Sequence, residues 1–319
     1  MNERRQTIRR PRLGGPPRAP RKRRKLKHIA VLPSLVTLMN GMCGFIAIVL
    51  ASQGMGVPWE TEIFPRANFS FFALAGYMIF LGMVADVLDG HVARISKSTS
   101  SFGAQLDSLC DVITFGVAPA FLMVKMVDAY SHYLRFSYRA HALISERVVY
   151  VIAIVYVLCA IIRLARFNVE SKKDDAHLGF AGLPSPPAAG LIVSMVVFQQ
   201  DFLPRVTGVG PLGVDGLAAA TIWVLPFLTL LAGLLMVTRI PYPHIVNRVL
   251  SGKKRFSTFL LILFVLPLMV WNIQLTMALG FFFFVLYGVV RWLFVKMFHR
   301  RRKAAGAEQC GERNFGSGI

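Results

Sequence analysis

The sequence predicts an all-α fold, a polytopic bundle of membrane-spanning helices, and three observations carry that expectation. Hydrophobic residues make up 55% of the 319 and the mean hydropathy is +0.55, above the 45–50% or so usual for soluble domains. The apolar residues gather into runs of about 20, the length a hydrocarbon core requires of a helix. No run alternates in the manner of barrel strands, and backbone inside lipid must satisfy its own hydrogen bonds, so helices are the structure left.

Residues 1–27 carry twelve Lys or Arg against the single acid Glu3, interrupted by Pro11, Pro16, Pro17 and Pro20. Such a segment cannot bury a core and reads as a disordered basic arm. The apolar run behind it is too long for a secretory leader and has no small-residue cleavage site. Candidate spans follow at 29–52, 69–90, 107–127, 148–168, 184–202, 217–238, 257–272 and 274–296, the last two joined by a tight turn at Trp271-Asn272. From about Ala304 the chain reads as a disordered tail.

Lys and Arg set the orientation. The basic arm, the loop with Arg94 and Lys97, the loop with Arg163, Arg166, Lys172 and Lys173, the stretch Arg239 to Arg255 and the tail Arg300 to Lys303 fall on one side if eight spans alternate. By the positive-inside rule that side is cytoplasmic, with both termini there. Residues 128–147, with Arg135, Arg139 and Arg147, are a local exception. The formal net charge of +20 therefore suits anionic lipid headgroups and not nucleic acid, because the basic residues lie between apolar runs. Cys43, Cys110, Cys159 and Cys310 show no pairing or metal-ligand spacing and read as small hydrophobes in a reducing compartment.

Against this background four acids stand out. Asp86 and Asp89 are three apart, Asp107 and Asp111 four apart, so on two helices each pair shares a face with Cβ atoms roughly 5–6 Å apart. Facing each other they would form a cage of hard carboxylate oxygens suited to Mg²⁺, Mn²⁺ or Ca²⁺, with room for two ions about 3.5–4 Å apart, as phosphoryl displacement uses. Gly90, Ala93 and Gly103 leave space for a nucleotide against bare backbone, and Arg94 can neutralise phosphate. The distribution of Lys and Arg places the four at the cytoplasmic ends of spans two and three, where they avoid the cost of about 2.5–3.5 kcal/mol that an acid carries at mid-bilayer.

The full pattern, Asp-x2-Asp-Gly-x2-Ala-Arg-x8-Gly-x3-Asp-x3-Asp over residues 86–111, resembles at every defined position the signature of the CDP-alcohol phosphotransferases. Three flanking strings resemble the bacterial phosphatidylserine synthase branch of that family: Leu-Pro-Ser-Leu-Val-Thr-Leu-Met-Asn at 32–40, Asp-Ser-Leu-Cys-Asp-Val-Ile-Thr-Phe-Gly-Val-Ala-Pro-Ala at 107–120, and Gly-Leu-Pro-Ser-Pro-Pro-Ala-Ala at 182–189. The resemblance implies a six-helix core over 28–240; outside that pattern the apolar runs add two membrane helices over 241–298, and a basic, disordered tail follows over 299–319. It implies transfer of a phosphatidyl group from CDP-diacylglycerol to L-serine with release of CMP, two Mg²⁺ or Mn²⁺ ions, a bacterial inner membrane with the site facing the cytoplasm, and a homodimer. By position in the motif, Asp86, Asp89, Asp107 and Asp111 are metal ligands and Asp111 is also the catalytic base. Thr37 and Asn40 would join Gly90, Ala93, Arg94 and Gly103 at the nucleotide.

Other readings remain. Glycerol phosphate, inositol phosphate or choline would serve as acceptor elsewhere in the family. A cation transporter also clusters acids, but nearer the midplane on broken helices and without need of Gly90, Ala93 and Arg94. Arg163 and Arg166 share a helical face, which fits snorkelling anchors first and a site for phosphate or the serine carboxylate second. Gly182 to Pro187 reads as a rigid lead-in to span five, and Phe281 to Phe284 as packing bulk; His91, His177 and His244 have no ligand spacing.

Overall fold

The computed structural model describes residues 31–54, 70–96, 101–137, 146–170, 182–204, 216–238, 240 and 266–315. Among them every regular element is helical: α1 (Val31–Gln53), α2 (Phe71–Ser96), α3 (Ser101–Asp111), α4 (Ala118–Ser137), α5 (Glu146–Glu170), α6 (Ser185–Val197), α7 (Gly216–Val237) and α8 (Ile273–Phe315), with a short helical stretch at 266–271 before α8. Among the described residues six stretches are long and apolar enough to cross a membrane: Ser34–Gln53, Phe71–Val92, Phe102–Tyr130, Glu146–Val169, Ala220–Val237 and Ile273–Phe294. Large hydrophobic side chains such as Phe45, Ile154, Leu158, Phe227 and Phe283 face outward on them. A surface this apolar is solvated by lipid, and the protein is an integral membrane protein.

The fifth expected span has a different character. α6 continues without a break into π-helical Phe198–Phe202, and nearly all of its residues from Ala188 to Val197 are buried. It is the centre of the bundle, packed against α2, α4, α7 and α8. Pro186 and Pro187 sit in its first turn, where the missing N–H groups have no intrahelical acceptor to lose. The seventh expected span, 257–272, lies outside the described residues except for 266–272. So does the basic arm 1–27.

Two boundaries depart from expectation. α2 runs through Gly90 to Ser96 and α3 begins at Ser101, so the four acids lie about two to three turns in from those two helix ends. No proline or cap stands at Gly90 to stop α2, and one glycine costs a helix only about 1 kcal/mol. α8 runs on to Phe315, over most of the tail expected to be disordered. Its Arg, Lys, Ala, Glu and Gln residues are good helix formers, and extending an existing helix carries no nucleation cost.

Between α3 and α4 the chain forms a π-helical segment, Val112–Val117, with Thr114, Phe115 and Gly116 buried. Pro119 has no N–H to offer the preceding turn, and the Tyr156 hydroxyl of α5 donates to the Phe115 carbonyl at 2.9 Å. That bond ties α5 to the segment directly below Asp111.

Candidate metal and nucleotide site

The site is set by how closely three helices approach. Cβ atoms placed on Gly41 and Gly44 of α1 would stand 2.9 Å from Cys110 Sγ and 2.5 Å from Thr114 Oγ1, and one on Gly82 of α2 would stand 2.6 Å from Thr114 Cγ2. Only glycine allows such contact between helices, the packing that small residues give in membranes. The Thr114 hydroxyl fills the gap and donates to the Asn40 carbonyl at 2.9 Å.

This approach brings Asp86, Asp89 and Asp107 together, with one carboxylate oxygen from each all lying within 4.8 Å of one another. Asp89 is buried and the other two are half-buried. At an effective dielectric of about 20, two unit charges at such a distance repel by roughly 3 kcal/mol, so three ionised carboxylates need a cation among them. Asp89 Oδ2 and Asp107 Oδ1 are buried without a hydrogen-bond partner. Buried carboxylate oxygens are normally satisfied, and two left open in a cluster of hard donors fit a divalent cation.

Asp111 is placed differently. It is buried, within the field of the other three acids, and its Oδ1 accepts a 3.0 Å hydrogen bond from Asn40 Nδ2. Thr37, one turn earlier on α1, hydrogen-bonds Asp89 through its hydroxyl. Both Thr37 and Asn40 are buried, and they bridge α1 to both acid pairs, where the sequence suggested only proximity to a nucleotide.

Gly90 follows Asp89 on α2, and a Cβ placed there would meet nothing within 4 Å. The helix face beside the acids is therefore open at that point. Gly103 lies half-buried in the first turns of α3. Ala93 and Arg94 are helical in α2, but their side chains fall outside the described residues.

Two residues beyond the motif belong to this end of the bundle. Arg163 of α5 donates from Nη1 to Ser185 Oγ at 2.8 Å, and its charge interacts with Asp111. Ser185 is set by Gly182, whose φ of +101° suits only glycine and whose N–H donates to the Ile240 carbonyl at 2.9 Å. The Leu183 N–H donates to Leu235 at 3.0 Å, fixing the segment to the end of α7. Sequence spacing pointed to Arg163 as an anchor before a ligand; its partner Ser185, on another helix, had no local signal.

The model of the CDP-alcohol phosphatidyltransferase family matches residues 30–231. The chain is similar to the CDP-diacylglycerol--serine O-phosphatidyltransferase of Helicobacter pylori, 32% identical over 285 residues that cover 88% of this chain and 99% of the relative. Proteins of the same description from Methanocaldococcus jannaschii and Saccharomyces cerevisiae are 30% identical over 224 residues (70% of this chain, 79% of the relative) and 35% identical over 168 residues (50% and 51%).

Proposed function

The chain belongs to the CDP-alcohol phosphatidyltransferase family, and from that premise we propose that it transfers the phosphatidyl group of CDP-diacylglycerol to L-serine, releasing CMP. It is a membrane-embedded transferase of phospholipid synthesis. The observation that carries the reading is the acid cluster beside an open helix face: Asp86, Asp89 and Asp107 gathered with unsatisfied oxygens, Asp111 set apart on Asn40, and free space over Gly90.

Asp86, Asp89 and Asp107, with contact from Asp111, would hold two divalent ions, Mg²⁺ or Mn²⁺. When bound, such ions neutralise the pyrophosphate of the donor and the charge gathering on departing CMP. Thr37 holds Asp89 in place from α1, and Gly90 with Gly103 leaves backbone free for the nucleotide, with Ala93 and Arg94 in the motif completing its site. Asn40 occupies Oδ1 of Asp111 and leaves Oδ2 to take the proton of the serine hydroxyl. The serine oxygen then attacks the lipid-side phosphorus, and the bond from that phosphorus to CMP breaks.

The same reading puts the basic arm, the tail and the acid cluster on the cytoplasmic side of a bacterial inner membrane, supported by where Lys and Arg collect. Serine reaches the site from water while the lipid enters from the bilayer. The catalytic core spans 28–240, residues 241–298 add two membrane helices, and the working unit is a homodimer.

The test is CMP release from CDP-diacylglycerol by purified protein with a panel of acceptors. L-serine should give CMP and phosphatidylserine in equal amounts. Release supported by glycerol phosphate, inositol phosphate or choline, and not by serine, would move the enzyme to another branch of its family.

A further inference from the structure

The four phenylalanines at 281–284 do not act alike. Phe282 and Phe283 face outward, whereas Phe281 and Phe284, three residues apart on α8, pack against the core. The Phe281 ring stacks on Phe80 of α2 with centroids 6.0 Å apart and planes 18° from parallel. Its edge fills the notch that Gly190 leaves in α6, where a Cβ would overlap the ring. We infer that Phe281 is a positioning residue for the transfer: as a wedge between α2 and α6 it fixes the separation of the helix that carries Asp86 and Asp89 from the helix that carries Ser185. This rests on the reading of α2 as a metal-bearing helix.

The wedge stands at the right height. Phe80 lies six residues before Asp86 and Gly190 five residues after Ser185, about 9 and 7.5 Å along their helices. α2 and α6 pack against each other, but a glycine offers no side chain to set their distance; the rigid ring does, in the stacked geometry that aromatic pairs favour. The far end of α8 is held separately. Gln274 Nε2 donates to Asp201 Oδ2 at 2.7 Å and to the Tyr77 hydroxyl at 3.2 Å, seven residues or about 10 Å along α8 from Phe281. A polar clamp thus pins α8 away from the site, and the wedge acts at the end where the acids lie.

Alignment is what the wedge governs. The three gathered carboxylates belong to α2 and α3 and not to α6, so donor binding survives a change in the gap between α2 and α6. The α6 side of the site, where Ser185 holds Arg163, then moves relative to those acids. A displacement of about 1 Å costs up to 10²-fold in rate.

The experiment measures kcat for CMP release with serine, KM for CDP-diacylglycerol and the thermal midpoint in detergent, using the full chain at a temperature where each variant is folded. Phe281→Ala should lower kcat about ten- to hundredfold, with KM for CDP-diacylglycerol within about threefold of wild type. Phe281→Leu keeps most of the wedge and should retain most of the turnover. Gly190→Ala drives the ring off its seat and should lower kcat in the same way. The double variant Gly190→Ala/Phe281→Leu sets a smaller side chain against the added methyl and should turn over faster than Gly190→Ala alone. Gln274→Ala should lower the thermal midpoint by a few degrees at unchanged kcat, which separates attachment of α8 from alignment of the site. Wild-type kcat in Phe281→Ala, or an equal loss of kcat in Gln274→Ala, would overturn the inference and leave the reading of the acids standing. If Phe281→Ala does not fold, the glycine pair decides, and a double variant no faster than Gly190→Ala overturns it. Wild type releasing no CMP with any acceptor would overturn the reading of the site itself.

Discussion

The side-chain amide of Asn40 on α1 donates to Oδ1 of Asp111 on α3 across 3.0 Å, and this bond separates Asp111 from the three clustered acids. It exists because Gly41, Gly44 and Gly82 let α1, α2 and the segment after Asp111 approach to backbone contact. Asn40→Ala should leave the helices in place and free the carboxylate to rotate. Loss of a hydrogen bond to a charged group is worth about 1.5–3 kcal/mol, so turnover should fall about ten- to hundredfold while CDP-diacylglycerol affinity holds. Unchanged turnover would mean that Asp111 does not depend on Asn40 for its orientation.

Gly90→Ala separates room for folding from room for a ligand. A Cβ there meets nothing within 4 Å, and alanine is the better helix former by about 1 kcal/mol. The thermal midpoint in detergent should be equal or higher. If the nucleotide lies against that backbone, KM for CDP-diacylglycerol should rise all the same. A variant with normal KM would place the nucleotide elsewhere.

Asp201 offers a contrast at the other end of α6, sixteen residues or about 24 Å along the helix from Ser185. Its Oδ2 accepts 2.7 Å hydrogen bonds from the Tyr77 hydroxyl of α2 and from Gln274 Nε2 of α8. Asp201→Ala leaves both donors without this acceptor, at about 1–3 kcal/mol for each one that stays buried. The expected outcome is a lower thermal midpoint with KM for serine and for CDP-diacylglycerol unchanged. A large change in either KM would tie this end of the bundle to the chemistry.

Much of this was legible because the signals were local. Asp86, Asp89, Asp107 and Asp111 declare themselves by spacing, and hydropathy marks the helices that cross the bilayer. What needed the fold was pairing between distant segments. Nothing near Asn40 says that it will meet Asp111, although Gly41 and Gly44 beside it are the small-residue signal for a close helix approach. Arg163 reads as an anchor until Ser185, brought in by another helix, turns its guanidinium inward. The extent of α2 past Gly90 and of α8 to Phe315 was obscured for a different reason: hydropathy reports where lipid ends, and helices continue beyond it. Asp201 was visible as an acid inside span five, yet only the partners on α2 and α8 explain why it can be buried there.

The central claim is a division of labour, with Asp86, Asp89 and Asp107 holding metal and Asp111 moving the proton. The most direct measurement pairs Asp111→Asn with Asp86→Asn and reads turnover and CDP-diacylglycerol affinity in each at saturating Mg²⁺ or Mn²⁺. Asp111→Asn keeps shape and one oxygen but cannot act as a base near neutral pH, so turnover should fall about 10²–10⁴-fold with affinity largely kept. Asp86→Asn removes a charged ligand and should weaken metal and nucleotide binding together with turnover. Near-normal turnover in Asp111→Asn, or equal loss of affinity in both variants, would contradict the account.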